Sequence, residues 1–262
     1  MARYNKKELT KYDTKRKGLV WFFELLTRKT GAYVGLNILY LITLLPAIFV
    51  LWVAIMFCVT EIAAIEEYAY TVSMLSFELA VLFSMLFSLS PFSSGYYYVL
   101  RNFTKEDNAW VLTDFFRVFR ENAGKSIGIF VIDLLIVAFS FLSLRIYILM
   151  GLSVGVIALF IIMTLFALSI PYCWNLVVTF DLKLSQVYKN SFFLLFVDAK
   201  KNLLYILAVA LYLLVILLIR YMVPPLCVII VALLGVSSLG LAQEINVYPV
   251  IKKYLIDPQE EK

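Results

Sequence analysis

Long apolar runs separated by short polar segments dominate this chain. Uncharged or nearly uncharged runs occupy residues 30–60, 71–100, 126–144, 146–180, 203–219 and 226–248. About 20 consecutive apolar residues are enough for a helix to cross the hydrocarbon core of a bilayer. The pattern therefore predicts an all-α, polytopic membrane helix bundle with six transmembrane helices.

The run at 146–180 is long enough to raise the alternative of a hidden seventh span. Its 35 residues would extend about 52 Å as a straight helix. Basic residues argue against a second crossing, because 21 of the 23 lysines and arginines fall in alternating polar segments and only Arg145 and Arg220 lie on the other side. By the positive-inside rule, six spans with both termini in the cytoplasm are predicted. The chain then divides into a basic segment (1–17), a membrane domain (18–255) and a short tail (256–262).

Two segments between spans have the pattern of amphipathic elbow helices on the cytoplasmic side. In the first, Val111, Phe115 and Phe119 share one helical face, and Asp114 lies on the opposite one. In the second, Leu184, Val187 and Phe192 alternate with polar positions. Each elbow follows a proline that interrupts an apolar run. This order suggests an internal span–elbow–span repeat, although any two hairpins with basic loops would also look alike.

The amino-acid composition indicates that lipid, and not water, surrounds most of this protein. Of the 262 residues, 63% are hydrophobic and 16% are charged, against about a quarter charged in soluble domains. A lipid bilayer is therefore the predicted partner. The net charge of +5 does not indicate nucleic-acid binding, because the basic residues occupy the positions that membrane topology favours.

Polar residues inside the spans are candidate functional positions, since charges at membrane depth are costly. The five positions are Asn37, Glu78, Asp133, Asn175 and Glu244. For Glu244 a place near the interface is the simpler interpretation. Asp133 is expected to face the bundle interior, beside polar groups of a neighbouring span or elbow, in a structural or a functional role.

Prolines interrupt three spans, at Pro46, Pro91 and Pro171. Each is a predicted helix kink, because proline frees a backbone carbonyl that neighbours must satisfy. Kinked helices around a midplane site are common in transporters. Kinked packing without any transport role is the open alternative.

Catalytic and metal-binding motifs are not found. The sequence has no histidine, no glycine-rich phosphate loop and no metalloprotease or nucleophile-elbow motif. Cys58, Cys173 and Cys227 each lie alone in an apolar run. We therefore predict no enzyme activity, no cofactor and no metal site.

Several motifs resemble the YesL-like family of bacterial integral membrane proteins. They are the stretch 37–46, NILYLITLLP; the stretch 90–101, which begins with Ser-Pro91 and ends with Tyr-Val-Leu-Arg101; and the stretch 114–122, DFFRVFREN. Thr179-Phe-Asp181, Lys189-Asn190 and Tyr248-Pro249 are similar to its later pattern. The resemblance covers roughly residues 18–255. The chain departs from the family after Pro46, where AIFVLW follows, and in a longer link between the first two spans.

The resemblance implies a bacterial cytoplasmic membrane protein without an established activity. It also implies an accessory role in carbohydrate uptake, with a carbohydrate ATP-binding cassette importer as the expected partner. A small solute transporter acting on its own is the alternative, and an intramembrane enzyme is a third reading. The oligomeric state is left open.

Overall fold

The computed structural model describes residues 19–60, 66–105, 107, 109–197 and 199–257, and these contain helices and no strand. The basic segment 1–17 and residues 258–262 of the tail lie outside the described residues. The helices are α1 Leu19–Arg28, α2 Thr30–Cys58, α3 Glu66–Leu86, α4 Ser93–Thr104, α5 Val111–Glu121, α6 Ala123–Leu149, α7 Ser153–Thr179, α8 Leu184–Val197, α9 Ala199–Met222, α10 Pro224–Ile230 and α11 Val236–Ile251, with π-helical turns at Val231–Gly235 and Lys252–Ile256.

Six helical segments in the described chain are long and apolar enough to cross a membrane, which confirms the predicted all-α polytopic bundle. We number them span one to span six: Thr30–Cys58, Tyr68–Leu86, Ala123–Leu149, Ser153–Thr179, Asn202–Met222 and Pro224–Ile256. Span six is a continuous helical segment in which α10 and α11 are joined by a π turn.

The long uncharged run after Arg145 is divided between two spans. Helix α6 continues to Leu149, and α7 begins at Ser153. The reversal uses Gly151, whose φ of +66° lies in the left-handed region that glycine adopts without steric cost. The prediction that span three ends near residue 144 was therefore wrong, because Arg145 is accommodated within the helix and donates a 2.5 Å hydrogen bond to the carbonyl of Phe57.

Span two is interrupted rather than kinked. Helix α3 ends at Leu86 and α4 begins at Ser93, so Pro91 lies in a non-helical linker and the predicted continuous span 71–100 is corrected. Ser88 adopts a φ of 48°, which an α-helix cannot contain. The hydroxyl of Ser93 donates hydrogen bonds to the backbone carbonyls of Ser88 (2.7 Å) and Ser90 (2.8 Å), so these two acceptors of the linker are satisfied.

Both elbow segments are helical, and each packs against the helix that precedes it. Helix α5 packs against α4, and α8 packs against α7. Gly95 permits the first contact, because a Cβ there would lie 2.1 Å from the carbonyl oxygen of Phe115. In the contact between α8 and α7, the thiol of Cys173 donates a 3.0 Å hydrogen bond to the hydroxyl of Ser191. Each elbow thus buries part of its apolar face against protein, for example Phe115 in α5 and Val187 in α8.

The centre of the bundle is formed by the segments that follow Pro91 and Pro171. Eleven of the twelve residues of α4 are buried. In α7, residues 166–177 are buried without interruption. The two segments also contact each other. Polar side chains on a helix buried on every side are enclosed by the protein and normally find their partners there, so these segments determine where a polar site can form.

Candidate functional site

The five predicted polar positions lie in four places. Asn175 in α7 and Glu244 in α11 come together in the core. Asp133 in α6 lies beside the second elbow helix. Asn37 contacts the π turn of span six. Glu78 lies at the surface of the bundle, in an ion pair.

The Asn175–Glu244 pair is a direct side-chain contact between spans four and six in the core. The amide nitrogen of Asn175 donates a 2.6 Å hydrogen bond to Oε2 of Glu244 and a 3.0 Å bond to the carbonyl of Pro171. Both side chains have no exposed surface. The prediction that Glu244 reaches the interface was therefore wrong, because α4 and α7 enclose this turn of α11.

A chain of hydrogen bonds connects this pair to Arg101 of α4. The guanidinium of Arg101 donates to the hydroxyl of Thr179 at 2.6 Å, and Thr179 donates to the carbonyl of Asn175 at 2.6 Å. No ion pair joins Arg101 and Glu244, although both belong to the described part of the chain. The core thus holds a cation and a carboxylate that are connected only through neutral groups.

Lys105 supplies a second positive charge at the end of α4. Its ammonium lies 4.9 Å from the ring centre of Tyr248, a cation–π arrangement. Burial, and then the charge of Arg101, lower the pKa of Lys105 to about 8. The negative charges of Asp107 and then of Glu244 act in the opposite direction and raise this pKa.

Tyr97 links the interruption of span two to the same core. Its hydroxyl donates to Oε1 of Gln243 at 2.8 Å and is 2.9 Å from the hydroxyl of Ser88. Gln243 directly precedes Glu244. The hydrogen bonds at the break between α3 and α4 therefore reach the residue that precedes Glu244 in α11.

Four buried polar atoms in this core have no partner in the protein. They are two donors, Nε of Arg101 and Nε2 of Gln243, and two acceptors, Oδ1 of Asn175 and Oε1 of Glu244. Buried polar groups are normally hydrogen-bonded. These four atoms are therefore the unsatisfied polar positions of the core.

A cleft of about 570 Å³ lies next to this core. Its lining includes Thr179, Asn122 and Gly124, and Lys125 and Asp181 form an ion pair across it at 2.5 Å. Lys125 holds the pKa of Asp181 below its usual value. Because Thr179 belongs both to the cleft and to the chain from Arg101 to Glu244, the cleft is the nearest polar surface to the core.

Asp133 faces the bundle interior, as the sequence predicted. Its Oδ1 accepts a 2.7 Å hydrogen bond from the hydroxyl of Tyr188 in the second elbow, and its Oδ2 has no partner. Only 1% of Asp133 is exposed. Burial, followed by the adjacent carboxylate, raises the pKa of Tyr188 above its ordinary value, so the tyrosine serves as a hydrogen-bond donor.

Asn37 has a structural role in span six. Its amide nitrogen donates to the carbonyls of Val231 (3.1 Å) and Ala232 (2.7 Å), and its oxygen accepts from the backbone N–H of Ser237 at 2.9 Å. A π turn changes the i→i−4 pairing of the backbone. Asn37 satisfies the groups that this change leaves free.

Glu78 is paired with Arg220 of span five. Its Oε1 accepts bonds from Nε (2.9 Å) and Nη2 (2.6 Å) of the guanidinium. Both side chains are more than 40% exposed. Glu78 is therefore not part of the polar core.

Of the three predicted kinks, Pro46 and Pro171 lie inside continuous helices, α2 and α7. Sequence reasoning missed Arg101, Thr179, Lys105 and Tyr188 as members of polar clusters. One signal was available for Thr179, which lies four residues after Asn175 and therefore on the same helical face. Arg101 was interpreted only as the end of a span, because nothing in the sequence shows that α4 is buried.

The fold and the polar core define a class: a six-span, all-helical integral membrane protein with a charged, hydrogen-bonded centre. Among the described residues, no group of three or more Cys, Asp and Glu side chains is arranged to hold a metal ion. No protein-family model, curated protein or solved structure matches this chain.

Proposed function

We propose that this protein is a non-enzymatic accessory factor of the bacterial cytoplasmic membrane that works beside a carbohydrate ATP-binding cassette importer. The motifs at 37–46, 90–101 and 114–122, which resemble the YesL-like family, support the carbohydrate link. A contact surface on the first elbow helix supports the accessory role.

The observation that carries the proposal is the outer face of α5. Trp110 is 79% exposed just before the helix, and Leu112 and Phe116 are exposed along it. Arg117 is held in place by Asp114 at 2.8 Å and by Glu121 at 3.2 Å. Exposed aromatic and basic side chains on a rigid helix are typical of interface hot spots.

The proposed orientation places α5, α8 and both termini in the cytoplasm, because 21 of 23 basic residues lie on that side. Single cysteines at Tyr221 and Lys189, in a background without Cys58, Cys173 and Cys227, test it. A membrane-impermeant thiol reagent should label position 221 in intact cells and position 189 only after permeabilisation. Labelling of position 189 in intact cells would refute this orientation.

Site-specific photo-crosslinking tests the accessory role. A photoreactive amino acid at Leu112 or Phe116 should crosslink to a membrane subunit of a carbohydrate importer, and deletion of the protein should lower uptake of that sugar. The matched control places the same amino acid at Phe160, which is exposed on span four. Equal crosslinking from Phe160, or unchanged uptake of every sugar after deletion, would contradict the proposal.

A second candidate function is solute transport by the protein alone. It is favoured by the Arg101–Thr179–Asn175–Glu244 core beside an interrupted span, since broken helices around a polar site recur in transporters. Purified protein in liposomes provides the test, with Glu244→Gln as the matched variant. If the wild type transports a solute and Glu244→Gln does not, solute transport becomes the favoured function.

A further inference from the structure

An apolar groove of about 540 Å³ lies between spans three and four and the second elbow helix α8. Its walls include Ile132 and Ile136 of α6, Ile162 and Met163 of α7, and Tyr188 and Phe192 of α8. Several of these side chains are partly exposed, Ile162 by 61%. The groove is therefore open at the protein surface.

Six of the eight wall residues belong to the membrane-spanning helices α6 and α7. Ile132 is nine residues, or about 14 Å, along α6 from its start at Ala123. Ile162 is 17 residues, or about 25 Å, from the end of α7 at Thr179. The walls supply no free hydrogen-bonding group at this depth, so a polar ligand would lose its hydrogen bonds on entry. A hydrocarbon chain makes no hydrogen bonds in water and would lose none on entering the groove.

Tyr188 is the only wall residue with a polar group, and that group is already used. Its hydroxyl donates to Oδ1 of the buried Asp133 at 2.7 Å. Because Asp133 does not line the groove, the hydroxyl is turned away from it. The Asp133–Tyr188 bond thus holds an aromatic ring as a fixed, apolar wall.

Two exposed lysines, Lys183 and Lys189, lie close in sequence to the wall residues that α8 contributes. Lys189 follows Tyr188 directly and precedes Phe192 by three residues, so it lies on the adjacent exposed flank of the helix. Lys183 is exposed at the residue before α8. Neither ammonium forms an ion pair with a described residue, whereas the nearby Asp181 is paired with Lys125. The segment from Lys183 to Lys189, next to the groove wall, therefore carries net positive charge.

We infer that the groove is a binding site for one anionic phospholipid of the leaflet on the basic side of the protein. One acyl chain occupies the groove between α6, α7 and α8, and the phosphate lies against Lys189 and Lys183. Basic residues next to a cleft between spans are a recurrent arrangement for acidic headgroups. A zwitterionic lipid would use only the apolar walls, and free phosphate would use only the lysines.

Native mass spectrometry of the full-length protein tests the site with three probes: phosphatidylglycerol, phosphatidylcholine and inorganic phosphate. We expect bound phosphatidylglycerol to exceed phosphatidylcholine at least threefold. The double variant Lys183→Ala with Lys189→Ala should remove that preference. Arg120→Ala, an exposed basic residue on α5, is the control and should retain it.

Ile136→Trp fills the groove and should lower retention of both lipids at least threefold. If this variant fails to fold, phosphatidylglycerol with a photoactivatable acyl chain gives the same information in the wild type. Crosslinks should map to peptides containing Ile136, Met163 or Phe192. Equal binding of the two lipids, full competition by phosphate, crosslinks confined to other helices, or crosslinks to a second copy of the chain in this groove would each overturn the assignment.

Discussion

The amide of Asn175 in span four donates a 2.6 Å hydrogen bond to the carboxylate of Glu244 in span six, and both side chains are fully buried. This contact connects the two spans at the centre of the bundle. Within span four, Asn175 is also bonded to its own helix, because its amide donates to the carbonyl of Pro171 and its backbone carbonyl accepts from the hydroxyl of Thr179.

Removal of the Asn175 amide should destabilise the fold more than neutralisation of Glu244. Asn175→Ala leaves the carboxyl without its donor, at a cost of about 1–3 kcal/mol or more. Glu244→Gln still presents a carbonyl oxygen to Asn175 and should cost less. Thermal unfolding of the purified variants in detergent measures both effects.

Asn190→Ala is the matched control, because Asn190 is only partly buried on α8 and should change stability by no more than about 0.5 kcal/mol. If Asn175→Ala is as stable as this control, the pair does not hold spans four and six together.

Tyr188 and Asp133 should behave as a donor–acceptor pair in the same measurement. Tyr188→Phe leaves the buried carboxyl of Asp133 without its donor and should cost about 1–3 kcal/mol or more. Asp133→Asn keeps an acceptor oxygen and should preserve insertion and folding. Asp133→Leu leaves the tyrosine hydroxyl without a partner and should be less stable than Asp133→Asn.

Tyr221→Phe is the control for this series, since that hydroxyl belongs to a residue that is 85% exposed. Loss of a measured activity in Asp133→Asn, with unfolding unchanged, would assign Asp133 a functional role instead of a structural one.

Gly95 should not tolerate even a methyl group. An alanine Cβ would lie 2.1 Å from the carbonyl oxygen of Phe115, a backbone atom that can move only if α5 moves. Overpacking of this kind costs about 1–3 kcal/mol or more. Thermal unfolding should show a large loss of stability for Gly95→Ala.

Gly35→Ala is the matched control, because the same glycine-to-alanine change should not lower stability at that position. Nothing lies within 4 Å of a Cβ at Gly35, and alanine is favoured over glycine inside a helix by about 1 kcal/mol. This variant should be neutral or more stable. Similar unfolding temperatures for the two alanine variants would show that α4 and α5 are not in close contact.

Stability should rise with pH above 8 because of Lys105. Burial and Arg101 lower its folded-state pKa to about 8, whereas an unfolded lysine titrates near 10.4. Between these values the unfolded state binds more protons than the folded state, so the free energy of unfolding increases as the pH rises. Unfolding temperatures measured from pH 7.5 to 10.5 should show this increase.

Lys105→Met should flatten that increase, and Lys253→Met, which replaces an exposed lysine in the last helical turn, should keep it. An identical pH profile for the wild type and Lys105→Met would show that the lysine is not buried in the folded protein.

The local pattern of apolar and polar residues predicted the number and order of the spans. It also predicted the inward direction of Asp133. Apolar run length predicts a crossing because the bilayer thickness is constant, and a carboxylate in an otherwise apolar run must avoid lipid. The same reasoning placed Glu244 at the interface and treated Pro91 as a kink. Both errors arose because the depth and burial of a segment depend on which helices surround it.

The polar core was decided by tertiary structure alone. Arg101, Asn175 and Glu244 lie more than 60 residues apart along the chain, and no periodicity indicates that α4, α7 and α11 meet. Small residues such as Gly95 and Gly240 allow the helices to approach, and side-chain packing then selects which polar groups face one another. The sequence by itself determined that the described part of the chain has six segments long and apolar enough to cross a membrane, because hydrophobicity acts locally. Only the packing of the helices decided which charges share the centre, because hydrogen bonds act over about 3 Å and require the folded arrangement.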